Sequence, residues 1–413
     1  MSSALFDVVI VGGGMVGSSL ALALSSLPLK VAVIEPHPQN SETAPGFDAR
    51  AIAFSWGSTR IFNSLGIWQN LKPIATPIKK IHVSDKGYPG ITQLKAKAMK
   101  VAALGQVVEL EDVGKIIHKA LKETKTSLYC PARVIDLSQE NENYSSLTLV
   151  TEENQEIKIN GRLVVAADGK QSVIRELSGI GIIEKPYNQS AVISTLQTQL
   201  PHNNVAYERF TENGPVAFLP LSNNRISLVW MMDTTVATEL VTATDDVFIE
   251  KLQAQFGQRL GKITTVGKRS IYPLNLVKAE RCTDKRLVVI GNAAQSLHPI
   301  AGQGFNLGLR DVANLADCLR KSCIEGIDPG CADLLKDYEQ LRNPDRQQII
   351  NFTDAMARLF ANPAQILSVP RNLMLIAMNY IPQMRSLLAE SAMGLYGKQP
   401  RLVRGLSLHL PEQ

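Results

Sequence analysis

The residues with the clearest chemical purpose are glycines. Gly12-Gly13-Gly14-Met15-Val16-Gly17 spells G-x-G-x-x-G, and Glu35 stands roughly 20 residues further on. This spacing suits a dinucleotide. Gly12 permits a tight turn, Gly14 lets the backbone approach a pyrophosphate with no Cβ in the way, and Gly17 lets a helix pack closely on its strand. The start of that helix offers unpaired N–H groups and a partial positive charge to the phosphates. A carboxylate at position 35 can accept hydrogen bonds from a ribose diol, and its charge disfavours a 2′-phosphate there.

Two further clusters lie far along the chain. Asp168-Gly169-Lys170-Gln171-Ser172-Val173-Ile174-Arg175 reads D-G-x-x-S-x-x-R. Asp168 and Gly169 end an apolar run, where a carboxylate can hold the turn. Ser172 and Arg175 fall one helical turn apart, a spacing that suits bracing. The other cluster is Gly291-Asn292-Ala293-Ala294, followed by His298-Pro299-Ile300-Ala301-Gly302-Gln303-Gly304-Phe305-Asn306. Gly302 and Gly304 precede a Leu- and Ala-rich stretch, so bare backbone can come close to a ligand there. His298 either faces a ring-binding pocket or caps local backbone groups.

Together these motifs make the chain resemble the aromatic-ring hydroxylases of the flavoprotein monooxygenase family, of the p-hydroxybenzoate hydroxylase type. Three motifs in the family's order span residues 7 to about 320. The stretches Gly46-Phe47-Asp48-Ala49-Arg50-Ala51-Ile52-Ala53, Leu104-Gly105-Gln106-Val107-Val108-Glu109 and Asn292-Ala293-Ala294-Gln295-Ser296-Leu297-His298-Pro299 narrow the resemblance. It narrows to the ubiquinone-biosynthesis hydroxylases, most nearly those acting on a 2-polyprenyl-6-methoxyphenol, and continues through residues 338–360.

The resemblance implies FAD as cofactor, NAD(P)H as a transient electron donor, and O2 and a polyprenylated phenol as substrates. Hydroxylation would run through a flavin C4a-hydroperoxide, chemistry that the cofactor carries. The glycine fingerprint and Glu35 would hold the nucleotide. Arg50 would face the pyrophosphate or the flavin edge, and Glu109, at a position usually Gln in the family, would lie beside the flavin. Val134, Asp168, Gly169, Gly291, Asn292, Pro299, Phe305 and Asn306 complete the cofactor set that the resemblance implies. Gly302, Gln303 and Gly304 would carry the catalytic electrostatics, with N–H groups toward the flavin edge where charge accumulates on reduction; His298 joins them as a candidate. Asn292 replaces the family's usual Asp on the ribityl chain, yet its carbonyl oxygen can still accept a hydrogen bond. Other ring positions, a small soluble phenol, or a non-catalytic scaffold role in a quinone-synthesis assembly remain alternatives.

These residues need a frame. Residues 7–11, 31–34, 163–167 and 286–290 are apolar runs of the kind found in buried parallel strands. Residues 18–26 and 307–320 read as helices. The expected fold is α/β: a Rossmann-like FAD-binding domain (1–180 and 276–330), an inserted antiparallel-sheet substrate domain (181–275), and a C-terminal helical segment (331–413). Within the insert, residues 192–194, 205–210, 216–219, 226–230 and 270–274 read as strands and 248–256 as helix. Tyr207, Phe218 and Trp230 could line a substrate wall or fill the core. Helix is expected at 332–341 and again at 346–360, with Pro344 breaking them apart.

Composition bounds the remaining classes. With 413 residues, 45% hydrophobic and 20% charged, a packed core is expected and global disorder is not. A formal charge of +5 is too small to argue for nucleic acid. Five cysteines with no CxxC pair, and histidines without ligand spacing, point to reduced thiols and no metal. No second glycine fingerprint, H-E-x-x-H, G-x-S-x-G or P-loop occurs. No secretory signal or spanning run is present, so a cytoplasmic protein is expected, peripheral at the inner face of the membrane if it touches one. From residue 355 onward there are six bases against two acids along an apolar face. Such a basic amphipathic tail can lie on anionic lipid, meet another ubiquinone-biosynthesis protein, or cover the FAD domain.

Overall fold

The computed structural model describes residues 4–38, 50–297, 302–361, 368–395 and 397–410. Its first sheet grows from the uninterrupted apolar runs. The strands follow the order Leu287–Val289, Glu156–Ala166, Ala4–Val11, Val31–Ile34 and Ser127–Tyr129, all parallel. Parallel strands of this kind are covered on both faces. On one side Val8 and Ile10 pack with Leu20 and Leu24 of helix Met15–Leu24 and with Leu309 and Val312 of helix Gln303–Glu325. On the other, Val9 and Val11 pack with Leu147 and Leu149 of the antiparallel extension Ser145–Thr151.

The second sheet runs Gln295–Ser296, Ser270–Ala279, Ile182–Thr198, Arg225–Asp233, Val216–Pro220, Val205–Phe210, Lys80–Asp85, Ile91–Lys95. It is antiparallel apart from the parallel pair Val205–Phe210 and Lys80–Asp85. Three of its strands, Lys80–Asp85, Ile91–Lys95 and Gln295–Ser296, therefore come from residues that the sequence reading grouped with the first domain. They are short and half-buried, and only their long-range pairing assigns them. Alternation along the strands splits the sheet's faces. Tyr207, Phe218 and Trp230 turn to the face covered by helix Asp245–Phe256, where the Phe218 and Phe256 rings stack at 3.7 Å. Phe218 and Trp230 are thus core rather than substrate wall; of the three, only Tyr207 also borders the cavity.

The expected break at Pro344 does not occur, and one helix runs Ala332–Ala361. Proline removes a backbone donor and crowds the preceding turn. Here the side chains around it are anchored: Arg342 and Asp345 pair with each other and with Asp311 and Arg310 of the long helix Gln303–Glu325. Tertiary charge pairing holds both sides of the proline in one axis. Beyond it, helix Ser368–Tyr380 docks on the edge strand Ile91–Lys95. Asn372 Oδ1 accepts from Gly90 N at 2.8 Å, and Thr92 Oγ1 donates to the Leu375 carbonyl at 2.6 Å. This helix covers the second sheet, not the FAD domain.

Candidate active site

The three motif-bearing turns meet at the ends of the parallel strands. Gly12 has φ +106°, and a Cβ there would strike the Ala167 carbonyl just before Asp168. A Cβ on Gly17 would collide with the Gly12 carbonyl oxygen. Gly291 has φ +59° and presses on Val16, while its N–H donates to Asp311 Oδ2 at 3.1 Å. Arg175 joins the remaining two turns, donating to the Ala293 carbonyl at 2.8 Å and the Lys170 carbonyl at 3.0 Å. Ser172 caps its helix by accepting from Arg175 N at 3.1 Å.

Against these tight glycines, others look onto open space. A Cβ on Gly14, Gly169 or Gly304 would have nothing within 4 Å. Gly14 stands at the start of helix Met15–Leu24, so the opening lies where that helix presents its free N–H groups. Glu35 sits beside it, buried, with one carboxylate oxygen accepting from Gly13 N at 2.7 Å and the other from His37 N at 2.9 Å. Among the described residues, Asp168 Oδ1 is buried without a hydrogen-bond partner. Burial raises the Asp168 pKa, against the hydrogen bonds from Ser172 and the Ile174 N–H that favour its charge. An open groove at a helix start, with a carboxylate on its rim and an orphaned polar atom beside it, fits a dinucleotide's phosphates and ribose.

From this groove a cavity of about 610 Å³ opens between the second sheet, strand Ala51–Ser55 and the start of helix Gln303–Glu325. Arg50, Asn292, Gly302, Gln303, Gly304, Phe305 and Asn306 border its nucleotide side. Gly302, at φ +59°, starts the long helix Gln303–Glu325, which brings a partial positive charge to the cavity wall. Asn306 fixes that start: its oxygen accepts from Ser55 N at 2.8 Å and Ser58 Oγ at 2.7 Å, and its nitrogen donates to the Ala53 and Gly302 carbonyls at 2.9 and 2.7 Å. That capacity is spent on the protein itself. Phe305 is wedged against Phe54 and Phe62. The Arg50 guanidinium, just before strand Ala51–Ser55, lies 4.9 Å over the Tyr272 ring of the second sheet.

Other expected residues stand apart. Both carboxylate oxygens of Glu109 take hydrogen bonds from Arg225, at 3.0 and 2.9 Å, and this pairing raises the Arg225 pKa. Val134 is buried in the core under the first sheet, on the strand that starts where Ala132 N donates to the Glu35 carbonyl. His298, Pro299 and residues 46–49 lie outside the described residues. The sequence reading missed His118, whose Nε2 sits 3.0 Å from the Gly13 carbonyl, and Asp311, which holds the Gly291 turn from below. It also missed Glu208 on the cavity's opposite wall. A signal existed for the last: between inward-facing Ala206 and Phe210, an acid breaks the apolar alternation.

A sequence profile for the FAD binding domain matches residues 6–353. The chain belongs to this family. Among relatives, this flavoprotein is 37% identical over 406 residues to the ubiquinone hydroxylase UbiL of Rhodospirillum rubrum, covering 97% of this chain and 93% of that one. It is 30% identical over 394 residues to the 3-demethoxyubiquinol 3-hydroxylase of Escherichia coli, covering 94% and 98%. Its fold is that of p-nitrophenol 4-monooxygenase PnpA from Pseudomonas putida, with a TM-score of 0.78 at 16% identity over 96% of this chain and all of that one. The α/β architecture with an added sheet and C-terminal helices is therefore established on both counts.

Proposed function

We propose that this flavoprotein hydroxylates the ring of a polyprenylated phenol of the 2-polyprenyl-6-methoxyphenol type in ubiquinone biosynthesis, with O2 as co-substrate and NAD(P)H as electron donor. The observation that carries the reading is the lining of the cavity. It starts at the cofactor-facing turn Gly302–Gly304 and continues past Ile193, Val229 and Leu274 to Ile349, Met356 and Leu375 of the C-terminal helices. A small phenol needs only the first part; the apolar remainder suits an isoprenoid tail. The ubiquinone relatives support the same substrate class.

Bound FAD would supply the redox and oxygen chemistry. The chain's part is to place and to shield. The glycine groove and Glu35 hold the nucleotide, and Asn292 meets the cofactor at the cavity rim. The Gln303–Glu325 helix start favours negative charge at the wall that Asn306 keeps rigid. The apolar lining orients the ring and keeps water from the reacting atoms.

Lipid extracts of a strain lacking the gene test this reading. The expected result is a polyprenyl phenol short of one hydroxyl, relieved by the wild-type gene. Normal quinone with accumulation of an unrelated compound overturns it. We also infer contact with a membrane surface, where such a substrate resides. No helix among the described residues is long and apolar enough to cross one. On helix Ser368–Tyr380 and the residue after it, however, Leu373, Tyr380 and Ile381 point outward at 60%, 77% and 42% exposure. Their replacement by serine should abolish sedimentation with vesicles of mixed neutral and anionic phospholipid; undiminished sedimentation rejects the surface.

A further inference from the structure

Glu208 is the one acidic side chain among the described residues that line the cavity. Strand alternation turns Ala206, Glu208 and Phe210 to the same face, and all three line the cavity. The cross-strand neighbours of Glu208 are Val83 on one side and Ala217 on the other, and both line it too. Glu208 Oε1 is shielded from solvent and has no hydrogen-bond partner. A buried carboxylate without a partner is costly and is ordinarily paired or removed. Among the described residues nothing is paired with it. Lys80, His82 and Arg209 sit at the opposite parity of their strands, on the sheet's far face, where Arg259 meets His82. Arg50 and Lys170 line the nucleotide side of the same cavity, and neither offsets the burial of Glu208, which alone pushes its pKa up to about 7.

We propose that Glu208 is the catalytic base that takes the proton of the substrate's phenol hydroxyl. This rests on the hydroxylase reading above and adds a residue to it. The step is a proton transfer. The phenol O–H bond breaks, its electron pair stays on oxygen as phenolate, and a new O–H bond forms on Oε1, leaving a neutral carboxylic acid. No oxidant or reductant enters. The phenolate pushes electron density onto the ring carbons ortho and para to it, where an electrophilic oxygen is accepted. When the hydroxylated ring regains aromaticity, the carbon bearing the new hydroxyl gives up its proton to water, the electron pair of that C–H bond returns to the ring, and the acid returns its own proton to the phenolate oxygen. A carboxyl group titrating near neutrality is matched to this exchange, because both of its forms are populated at working pH.

The test compares two prenylated phenols on the FAD-loaded enzyme, one ordinary and one fluorinated so that it is already ionised at the assay pH. The wild-type enzyme must first hydroxylate the ordinary phenol; if it does not, the hydroxylase reading fails and not this assignment. Given that activity, Glu208→Gln should lower kcat on the ordinary phenol by roughly 100-fold at pH 7. The loss should shrink as pH rises, and it should be absent with the ionised phenol. Equal losses on both phenols would mean a structural role and overturn the proposal, as would a variant with wild-type kcat and pH profile. If the variant does not fold, the contrast is read on the wild type: kcat on the ordinary phenol should fall below pH about 7 while that on the ionised phenol stays level. Parallel profiles overturn it.

Discussion

Asp311 does not line the cavity, yet its loss should disturb the cofactor side of it. It is fully buried in helix Gln303–Glu325. Its Oδ2 accepts from Gly291 N and Gln295 Nε2, both at 3.1 Å; its Oδ1 takes Arg342 Nε at 2.9 Å and pairs with Arg342 Nη2 at 2.7 Å. Burial by itself would raise its pKa, but Arg342 and Arg346, with the donated hydrogen bonds, hold it below the usual carboxylate range. Asp311→Asn would leave Arg310, Arg342 and Arg346 buried against the single charge of Asp345. Breaking a buried pair costs about 3–5 kcal/mol, most of it from the abandoned charge. Urea unfolding of the FAD-free protein at pH 7.5 should show a loss of that size. FAD affinity should also fall, on the order of tenfold (about 1.4 kcal/mol), because the Gly291 turn that presents Asn292 loses its tether. A depressed folded-state pKa contributes stability above the unfolded value of about 4 and loses it as pH drops through the folded value. The gap between wild type and variant should therefore close in acid. Replacing Asp311 and Arg342 together by leucine and methionine should recover part of the loss. A change under about 0.5 kcal/mol in Asp311→Asn, the size of a surface substitution, would refute the reasoning.

Three further outcomes are expected. Gly17→Ala should cost about 3 kcal/mol or more, seen as loss of soluble protein, because its Cβ has only the Gly12 carbonyl to meet; Gly14→Ala should stay within about 0.5 kcal/mol of wild type yet bind FAD more weakly, measured by flavin fluorescence. Glu208→Gln should match the wild type in thermal stability near pH 4.5 and exceed it above pH 7. The sign follows from a pKa raised by folding: the wild type is fully stable below the unfolded value and loses stability as pH climbs through the folded one, by on the order of 3 kcal/mol. Met356→Trp, on the cavity's far wall against Ala191, Met231 and Leu274, should raise KM for a long-tailed phenol and spare a short one in steady-state assays.

The nucleotide half was legible because its requirements are local. A turn with positive φ, a collision-free helix start and a carboxylate at a strand end each select a residue type at a fixed spacing, so Gly12, Gly17 and Glu35 announce themselves. The apolar runs of the parallel strands announce themselves for the same reason: burial on both faces removes polar residues from the chain. The substrate half was read less fully. Its strands at 205–210 and 216–219 were visible, but which face looked into a cavity was not, so Phe218 and Trp230 stayed ambiguous. Pro344 misled because proline's cost is local and the network that offsets it joins residues from two helices.

What the sequence determined by itself is the cofactor's half of the protein: a dinucleotide groove built from glycines whose neighbours are fixed by short-range geometry. What only the tertiary structure decided is everything set by meetings between distant segments. It brought strands Lys80–Asp85 and Ile91–Lys95 into the second sheet, laid the C-terminal helices over its edge, tied Asp311 to the Gly291 turn, and left Glu208 the one acid among the described residues of the cavity wall. An acid's spacing along the chain says which face it shares; only the folded surroundings say whether anything there answers its charge.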